Sequence, residues 1–415
     1  MFRNYLLTAG AVFMRRKLFT AINLLCIVLT LVVLMVIASL LETAFRPSGV
    51  EGKSDRFLQV FLMRMESPGG HRVSTTPPGY KLIDKYLKPM PGVERVAAVT
   101  MPSGVSVYQG ANVSELQMRR ADADYWKVLD FRLLAGRLPT AADDAAGRMI
   151  AVLNATTARR LFPGAPKAAI GQPVDVGGQR FEVVGVVEDA MHLNAYADLW
   201  APISTFASSD YRNQLTGMFT ALILANNSAD LPRIREQVAR IAAGVAHDDP
   251  KAWKTIRFWA DGKLDLFSRI LTNSSQTADS GAGKVLAGIA VAMLVFMLLP
   301  ALNLVNLNTG RIMERRSEIG VRKAFGATSS QLAVQLVVEN VLLCLAGGLI
   351  ALLATAGVLA WLENAGLIPY LKVDLNLAVF GWGMLLATVF GLLSGVLPAW
   401  NMSRLDPVHA LKGAV

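Results

Sequence analysis

The chain has 415 residues, of which 53% are hydrophobic and 17% are charged. About a quarter of the residues are charged in a soluble protein of this length, so the composition excludes that class and indicates an integral membrane protein. The net charge of +10 would suit a nucleic-acid-binding protein, but residues 42–283 hold 28 Lys and Arg against 25 Asp and Glu. Most of the excess positive charge therefore lies outside residues 42–283, next to the apolar parts of the chain, where anionic lipid headgroups can contact it.

Residues 1–17 are predicted to form a cytoplasmic amphipathic N-terminal helix. Phe2, Leu6, Ala9 and Phe13 recur at helical spacing, and a basic cluster ends the segment, as in helices that lie on the inner leaflet. An ordinary positively charged flank with accidental periodicity is the alternative.

Four windows without Asp, Glu, Lys or Arg are each long enough to cross about 30 Å of hydrocarbon. Basic residues cluster before the first window, between the second and third, and after the fourth, which predicts that both termini are cytoplasmic. The first window is too long for a signal peptide and is interpreted as a retained anchor. The lack of charge in the windows argues against a pathway for ions through the spans. The predicted transmembrane helices are 18–41, 285–310, 340–362 and 375–403, with a cytoplasmic tail at 404–415.

The predicted fold is an integral membrane α-helical protein with four transmembrane helices and a large α+β extracytoplasmic domain, residues 42–284, between helices 1 and 2. Strand-like and helix-like patterns alternate in this domain. Two βα lobes are predicted to flank a β-rich insert near 110–215, and a stalk leads to the second span. Strands are expected at 57–65, 149–153, 179–187 and 219–224, and helices at 79–87, 155–161 and 231–243.

The extracytoplasmic domain offers little catalytic or metal-binding chemistry. Its histidines are isolated in sequence, and Gly52-Lys53-Ser54 lacks the first glycine of a phosphate-binding loop. Its three acid pairs are expected to be solvated charge, mostly in turns. We therefore expect neither enzyme activity nor a metal or cofactor in this chain. The residues concerned are His71, His192 and His247, and the pairs Asp143-Asp144, Glu188-Asp189 and Asp248-Asp249.

The stretch 311–330 between the second and third spans is densely charged and mostly basic, which predicts a cytoplasmic loop. Glu314 and Glu318 lie one helical turn apart, and Gly326 is well placed to end a short helix before the third span. A rigid charged helix fixed to two spans can dock in a groove on a soluble subunit. A merely topogenic loop is the alternative, but it does not explain Glu318-Ile-Gly or Gly326-Ala.

The run from Glu314 to Ala327 resembles the signature of the MacB and FtsX family of ABC transporter permeases, within the type VII ABC superfamily. The C-terminal segment 397–411 is similar to the ending of that family, with Pro-Ala before a polar and basic stretch and then Asp-Pro-x-x-Ala-Leu. Five further segments resemble the MacB-like periplasmic core domain, namely Gly136-Arg137, 150–154, 158–162, Ile170-Gly171 and 183–187.

The resemblance implies a non-catalytic permease subunit that uses the loop at 311–330 as a coupling helix. A separate cytoplasmic ABC ATPase dimer would bind ATP and Mg²⁺, and a second permease copy or a paralogue would complete a dimer in the bacterial inner membrane. By this resemblance, the residues expected to couple the chain to the ATPase are Glu314, Arg315, Arg316, Glu318, Ile319, Gly320, Arg322, Lys323, Gly326 and Ala327.

Two functions follow from the resemblance. In the first, called mechanotransmission, ATP-driven motion reaches the periplasmic domain and drives efflux or extrusion of a peptide, antibiotic or lipid-linked cargo, with a periplasmic adaptor and an outer-membrane channel as further partners. In the second, an FtsX-like protein transports nothing and regulates a periplasmic cell-wall hydrolase. The size of the extracytoplasmic domain favours the first function.

Overall fold

The computed structural model describes residues 17–109, 112–275, 278–314 and 328–367, together with 321, 325, 373, 377–378, 380–385, 388–389 and 392–393. The chain divides into two compact units. The helical unit contains the described parts of 1–43 and 286–415, and the globular unit contains those of 44–285.

Long helices dominate the helical unit, and short mixed elements make up the globular unit. The described helices are α1 (Lys17–Phe45), α2 (Tyr80–Leu82, extended by a π turn at Ile83–Leu87), α3 (Tyr125–Val128), α4 (Ala141–Ala145), α5 (Ala155–Leu161), α6 (Leu231–Gly244), α7 (Lys263–Thr272), α8 (Ala282–Glu314) and α9 (Ser329–Asn364). The described strands are β1 (Phe57–Val60), β2 (Met63–Glu66), β3 (Val73–Thr76), β4 (Val93–Thr100), β5 (Ser103–Gln109), β6 (Asn112–Ala121), β7 (Leu133–Gly136), β8 (Ile150–Asn154), β9 (Pro173–Val176), β10 (Gln179–Val187), β11 (Leu199–Pro202), β12 (Phe219–Ala225) and β13 (Thr255–Phe258).

Two described helices can cross a membrane by length and composition. The segment Thr20–Phe45 of α1 overlaps the first predicted span, 18–41, in all but two residues, and Val337–Asn364 of α9 contains the third, 340–362. The second predicted span, 285–310, lies within α8, whose shorter apolar stretch is Ala282–Leu298 among the described residues. Most of the fourth, 375–403, lies outside the described residues, as do the predicted C-terminal tail and almost all of the predicted N-terminal helix. The topology of four spans therefore stays a prediction.

Helices α1 and α9 pack against each other along an apolar seam within the helical unit. A Cβ atom at Gly347 would lie 2.8 Å from Ile27 Cγ2, closer than two carbon atoms approach without a shift. Glycine at this position therefore favours close contact between the two helices. The buried residues of the seam are Ile27, Leu31, Met35, Leu343, Cys344 and Ala351.

Two acidic residues, Glu339 near the start and Glu363 near the end, lie within the third described span Val337–Asn364, outside the charge-free window predicted for it. Glu339 is 2% exposed and accepts a hydrogen bond from Gln335 Nε2 at 3.0 Å. The described span begins at Val337, and Glu339 therefore lies just ahead of the predicted window 340–362. A carboxyl group inside a membrane is retained where polar neighbours satisfy it, and Gln335 is such a neighbour.

Six strands of the globular unit close into a ring. Strand β5 pairs with β6 and β9, β10 pairs with β9 and β8, and β11 pairs with β8 and β6. Alternate side chains along such strands point into the ring and fill it, here with Phe181, Val183 and Leu199. Helix α5 covers this core through Ala158 and Leu161.

The sheet continues from the ring through β4 and β12 to β1. One face of this part packs on a core in which the rings of Phe131 and Trp200 lie 5.3 Å apart. The other face packs on α6 and on a small sheet in the order β13-β2-β3. Because both faces are buried, every residue of β12 is buried and the strand reads as a continuous apolar run. One sheet thus runs through both predicted lobes and the insert, and the boundaries near 110–215 stay a prediction.

The segments that resemble the MacB-like core domain meet around β10. Gly136 has a φ of +76°, and a Cβ there would lie 2.1 Å from the Val184 carbonyl oxygen, so the position requires glycine. The backbone N–H of Arg137 donates to the same oxygen at 2.8 Å. The N–H of Gly171, where φ is +80°, donates to the Val183 oxygen at 2.7 Å. These segments therefore fix the packing around one strand.

Most of the secondary structure predicted for this unit is confirmed. Helix α5 and strand β10 coincide with 155–161 and 179–187, and α6 and β12 match their predicted ranges within one residue. The single strand predicted at 57–65 is wrong. The chain leaves strand geometry at Phe61 and Leu62, and the two halves pair in different sheets. A continuous apolar run contains no sign of such a break.

The expectation that all three acid pairs are solvated is also wrong. Asp143 is 1% exposed and accepts hydrogen bonds from the Thr140 N–H and hydroxyl at 2.8 and 2.7 Å, within a capping box that begins α4. The Arg137 guanidinium donates to it at 2.7 and 3.0 Å and holds the pKa of Asp143 well below its usual value, although burial opposes this. Asp189 accepts from the Thr156 N–H at 2.9 Å at the start of α5. The pair at 248–249 is exposed, as predicted.

We predict that Asp143→Asn lowers the free energy of unfolding at neutral pH by about 2 kcal/mol, because it removes a charge-assisted contact with a partly exposed arginine. Since the pKa of Asp143 is depressed in the folded state, its contribution is present above its unfolded pKa of about 3.9 and is lost as the pH falls below that value. Chemical denaturation at several pH values measures both effects. The exposed Asp175 provides the control, and equal effects of Asp143→Asn and Asp175→Asn would contradict this assignment.

Candidate functional site

The predicted ATPase-coupling residues lie almost entirely outside the described part of the chain. Glu314 is the last residue of α8, and 315–320, 322–324 and 326–327 are not described. Between them, the Phe325 N–H donates to the Val321 oxygen at 3.0 Å, as in one helical turn, and the Phe325 side chain is 89% exposed. The assignment of coupling to this loop therefore stays a prediction.

A buried ion pair joins the two places where the chain enters and leaves the globular unit. Glu51, in a 3₁₀ turn after α1, and Lys263, the first residue of α7, are 1% and 9% exposed. Lys263 Nζ lies 2.9 Å from Glu51 Oε2 and donates to the Arg46 carbonyl oxygen at 3.3 Å. The rings of Phe45 and Phe267 meet edge to face 5.4 Å apart beside this pair of segments. We call Glu51, Lys263, Asn194 and the Arg46 carbonyl the base clamp.

Asn194 lies in the loop between β10 and β11 and connects that loop to Glu51. Its backbone N–H and its Nδ2 donate to Glu51 Oε1 at 3.0 and 3.1 Å, so that both oxygens of the carboxylate are occupied. The Tyr125 hydroxyl donates to the Asn194 carbonyl at 2.9 Å. Arg119, which is 4% exposed, holds the same loop through the carbonyls of Leu193 and Tyr196 at 2.6 and 2.8 Å. Burial lowers the pKa of Arg119.

Local sequence explains how Glu51 reaches this position. Gly49 has a φ of +49°, and a Cβ there would lie 3.0 Å from His192 Cε1, so that glycine permits the turn after Ser48. On the other side, Asp265 Oδ2 accepts from the Gly262 N–H at 3.4 Å at the start of α7. A glycine thus begins the 3₁₀ turn and another stands immediately before α7.

A second buried ion pair stabilises α7 itself. Arg269, 4% exposed, donates to both carboxylate oxygens of Asp261 at 2.7 and 3.0 Å and to the Ser274 carbonyl at 2.7 Å. Its guanidinium carbon lies 4.4 Å from the centre of the Trp259 ring. The Ser280 hydroxyl donates to Asp265 Oδ1 at 2.7 Å, which ties the segment before α8 back to α7. The exit from the globular unit is thus held by directional polar contacts.

Of the three histidines named from the sequence, His192 is the one that lies at this site. Its Nε2 is 3.2 Å from Ser48 Oγ, and its buried Nδ1 has no partner among the described residues. Burial lowers the pKa of His192; Glu51 opposes this effect and Lys263 adds to it. Among the described residues, no acidic side chain accepts from His192 Nδ1, so Ser48 and His192 lack the acid that orients a catalytic histidine. No group of three His, Cys, Asp or Glu side chains able to hold a metal occurs in the described part of the chain.

The geometry of the clamp suits mechanical fastening. Removing one partner of a buried ion pair leaves an uncompensated charge and costs about 3–5 kcal/mol. Sequence reasoning missed every residue of the clamp, because Glu51, Asn194 and Lys263 are far apart in sequence and match no spacing rule. The only available signal was that charged residues stand close to each end of the domain.

Two family models match most of the chain. One described as the MacB-like periplasmic core domain matches residues 20–241, and one described as the FtsX-like permease C-terminal matches 290–407. The chain is 27% identical over 291 residues to the macrolide export ATP-binding/permease protein MacB of Salmonella typhi, covering 69% of this chain and 42% of that protein. It is 26% identical over 349 residues to the uncharacterized ABC transporter permease YknZ of Bacillus subtilis, covering 79% and 77%. The chain thus spans less than half the length of the MacB relative.

Two solved structures are similar at 17% identity. The periplasmic region of MacB from Actinobacillus actinomycetemcomitans covers 55% of this chain and 97% of its own, with a TM-score of 0.38. The extracellular domain of the noncanonic ABC-type transporter YknZ from Gram-positive bacteria covers 48% and 98%, with a TM-score of 0.37. The core-domain family model alone matches more than half of the sequence. On that ground, the chain belongs to the MacB and FtsX family of ABC transporter permeases.

Proposed function

We propose that this chain is the permease subunit of a MacB-like transporter and that it converts ATP hydrolysis in a separate cytoplasmic ATPase into motion of its periplasmic domain. The family consists of inner-membrane permeases with a periplasmic core domain and an ATPase partner, which makes the globular unit the periplasmic domain. The proposal also includes mechanotransmission and the efflux or extrusion of a peptide, antibiotic or lipid-linked cargo. It further places both termini in the cytoplasm.

The proposed energy input is the loop at 311–330. We assign ATP and Mg²⁺ to an ATPase dimer that acts on this loop, as membership of the ABC permease family implies. The described residues Val321 and Phe325 expose apolar surface in this loop, and Phe325 is 89% exposed. An exposed aromatic side chain between charged residues suits a groove on a soluble subunit.

The base clamp is the observation that carries the proposal. Motion that passes between the spans and the periplasmic domain must use the two chain segments that join them. Glu51 follows α1 by six residues, and Lys263 begins the helix that precedes α8. Their ion pair ties these segments together, and Asn194 ties both to the loop that leads into the strand ring. Flexible linkers would absorb a displacement that such a fastened base transmits.

The proposed assembly contains two permease chains, an ATPase dimer, a periplasmic adaptor and an outer-membrane channel. FtsX-like regulation of a cell-wall hydrolase remains the second candidate, and the extent of the MacB-like core-domain match favours transport. Purification from the native host, followed by identification of the bound proteins, separates the two. An ATPase with an adaptor or channel supports transport, a hydrolase supports signalling, and the lack of any ATPase contradicts both.

We predict that Glu318→Lys, or Gly326→Val, leaves membrane insertion intact and separates ATP hydrolysis from transport. The first reverses a charge in the proposed coupling helix, and the second places a β-branched residue where a helix ends. ATPase rate and cargo movement are measured on the same reconstituted complex. Glu318→Asp and Gly326→Ala serve as matched controls. Unchanged transport in the two disruptive variants would count against the coupling role.

A second prediction concerns the base clamp. Lys263→Met should destabilise the periplasmic domain by about 3 kcal/mol, because it leaves Glu51 buried without its cation. Adding Glu51→Gln should recover most of that loss, since the double variant buries no net charge. Thermal unfolding of Lys263→Met, Glu51→Gln, the double variant and the unchanged protein measures the coupling energy between Glu51 and Lys263.

The double variant also tests transmission. We expect a folded protein whose ATP hydrolysis continues while transport falls, because the clamp is held by weaker neutral contacts. Asp248→Asn, which removes an exposed ion pair with Lys81, is the control and should change neither readout. Normal transport by the folded double variant would show that the clamp is only structural.

A further inference from the structure

A cavity of about 290 Å³ lies where two apolar cores of the periplasmic domain meet. Tyr80 and Tyr211 on its wall pack against the core that includes α6. Asp122, which also lines the cavity, lies beside Ala121 and Tyr125, which belong to the core that contains Trp200. Clefts between packed substructures are common sites for small ligands, and this volume suits a small molecule or the end of a larger one.

Most charged groups around the cavity are already paired. Asp122 is 6% exposed, accepts from the N–H groups of Ala98 and Tyr125 at 3.0 Å each, and lies 3.1 Å from Lys88 Nζ. Burial lowers the pKa of Lys88, but Asp122 and the hydroxyl of Tyr80 outweigh that effect and raise it. The cation and the anion of this pair therefore neutralise each other.

The remaining charges on the wall have partners as well. Asp124 lies 3.3 Å from Arg95 Nη1 and 3.4 Å from Lys127 Nζ. The Nε of Arg212 donates to the Tyr211 hydroxyl at 3.1 Å. Three carboxylates and two cations line the wall, and Asp144 is the lining carboxylate without an ion pair in the described part of the chain.

Asp144 is the carboxylate that this network leaves incomplete. Its Oδ2 accepts from the Ala123 N–H at 3.0 Å, and the Ser204 N–H lies near enough to lower the pKa of Asp144, whereas its buried Oδ1 has no partner within hydrogen-bond distance among the described residues. The neighbouring Ser204 hydroxyl is also buried and without a partner there. Burial and the charge of Asp122 raise the pKa of Asp144 to about 6, against smaller opposing effects of Lys88 and of the backbone amides. Two unsatisfied polar atoms on one cavity wall suit a ligand that donates hydrogen bonds.

The aromatic wall accepts cations. The rings of Tyr80 and Tyr211 lie 5.5 Å apart in an edge-to-face arrangement. Lys88 Nζ lies 5.5 Å from the Tyr80 ring centre, and the Arg212 guanidinium carbon lies 5.6 Å from that of Tyr211. Positive groups are thus already tolerated against both rings, as expected from the negative faces of aromatic rings. A cationic ligand in this cavity would lie near both tyrosine rings and the carboxylates that line it.

We propose that this cavity binds an organic cation through a primary ammonium group, which donates to Asp144 Oδ1 and Ser204 Oγ and lies against Tyr80 and Tyr211. The χ2 torsion of aspartate is broad, so a small rotation turns the covered oxygen of Asp144 toward the cavity. The site does not depend on the proposed transport function, because it is formed within the periplasmic domain. An amine-bearing cargo and an amine that regulates the protein would be recognised by the same groups.

The test uses the full chain in nanodiscs of zwitterionic lipid, which avoids binding of the probe to anionic lipid. Cadaverine, a primary diamine, is titrated by calorimetry at pH 7.5, with the uncharged 1,5-pentanediol as the matched probe. We expect heat of binding for cadaverine only, and weaker binding at pH 5, where Asp144 gains a proton. Absence of cadaverine binding, or equal binding of the diol, overturns the proposal.

Variants locate the site. Asp144→Asn should weaken cadaverine binding roughly tenfold or more and remove its pH dependence, and Ser204→Ala should weaken it about threefold. Asp175→Asn, at an exposed position away from the cavity, is the control. Asp144→Asn is expected to fold, because asparagine can still accept from the Ala123 N–H without a buried charge, and thermal unfolding checks this. Unchanged affinity in a folded Asp144→Asn protein overturns the proposal.

Discussion

The buried ion pair between Glu51 and Lys263 is the constraint on which the base of the periplasmic domain depends. A charge removed from water must be paired and hydrogen-bonded, so Glu51 brings Lys263, Asn194 and the Arg46 carbonyl to one point. The first turn after α1 and the start of α7 are thereby fixed against each other. Arg119 orders the loop that presents Asn194. A periplasmic domain held in this way has a defined base where the chain enters and leaves it.

Sequence periodicity predicted the elements whose pattern is local. Strand β10 and helix α5 were found at their observed bounds, because a buried strand and a short amphipathic helix each leave a repeating pattern. The closure of six strands into a ring was not foreseen, since pairing between β5 and β6, and between β6 and β11, depends on partners rather than on pattern. For the same reason the base clamp was invisible in sequence. The proposed coupling loop is the opposite case, because its residues are contiguous and their spacing alone predicts it.

Asp143 and Asp144 show how far neighbouring residues can differ. The sequence presents two equal acids in a turn, whereas successive side chains on a helix point in different directions. Arg137 and Thr140 contact Asp143, and its pKa falls. Burial and the charge of Asp122 raise the pKa of Asp144 to about 6. Only the surrounding structure separates a structural ion pair from a group with unused hydrogen-bonding capacity.

The closed ring also limits how another protein can attach to the periplasmic domain. A partner that extends a sheet needs a strand with one free edge, and each of the six ring strands has neighbours on both sides. In the described sheets, β3, β7 and β13 pair along one side, whereas the outer edge of β1 is already occupied at Gln59, which exchanges backbone hydrogen bonds with Asp261. Among the described strands, β3, β7 and β13 therefore offer the open edges for strand addition, and recognition on the ring must rely mainly on side chains and loops.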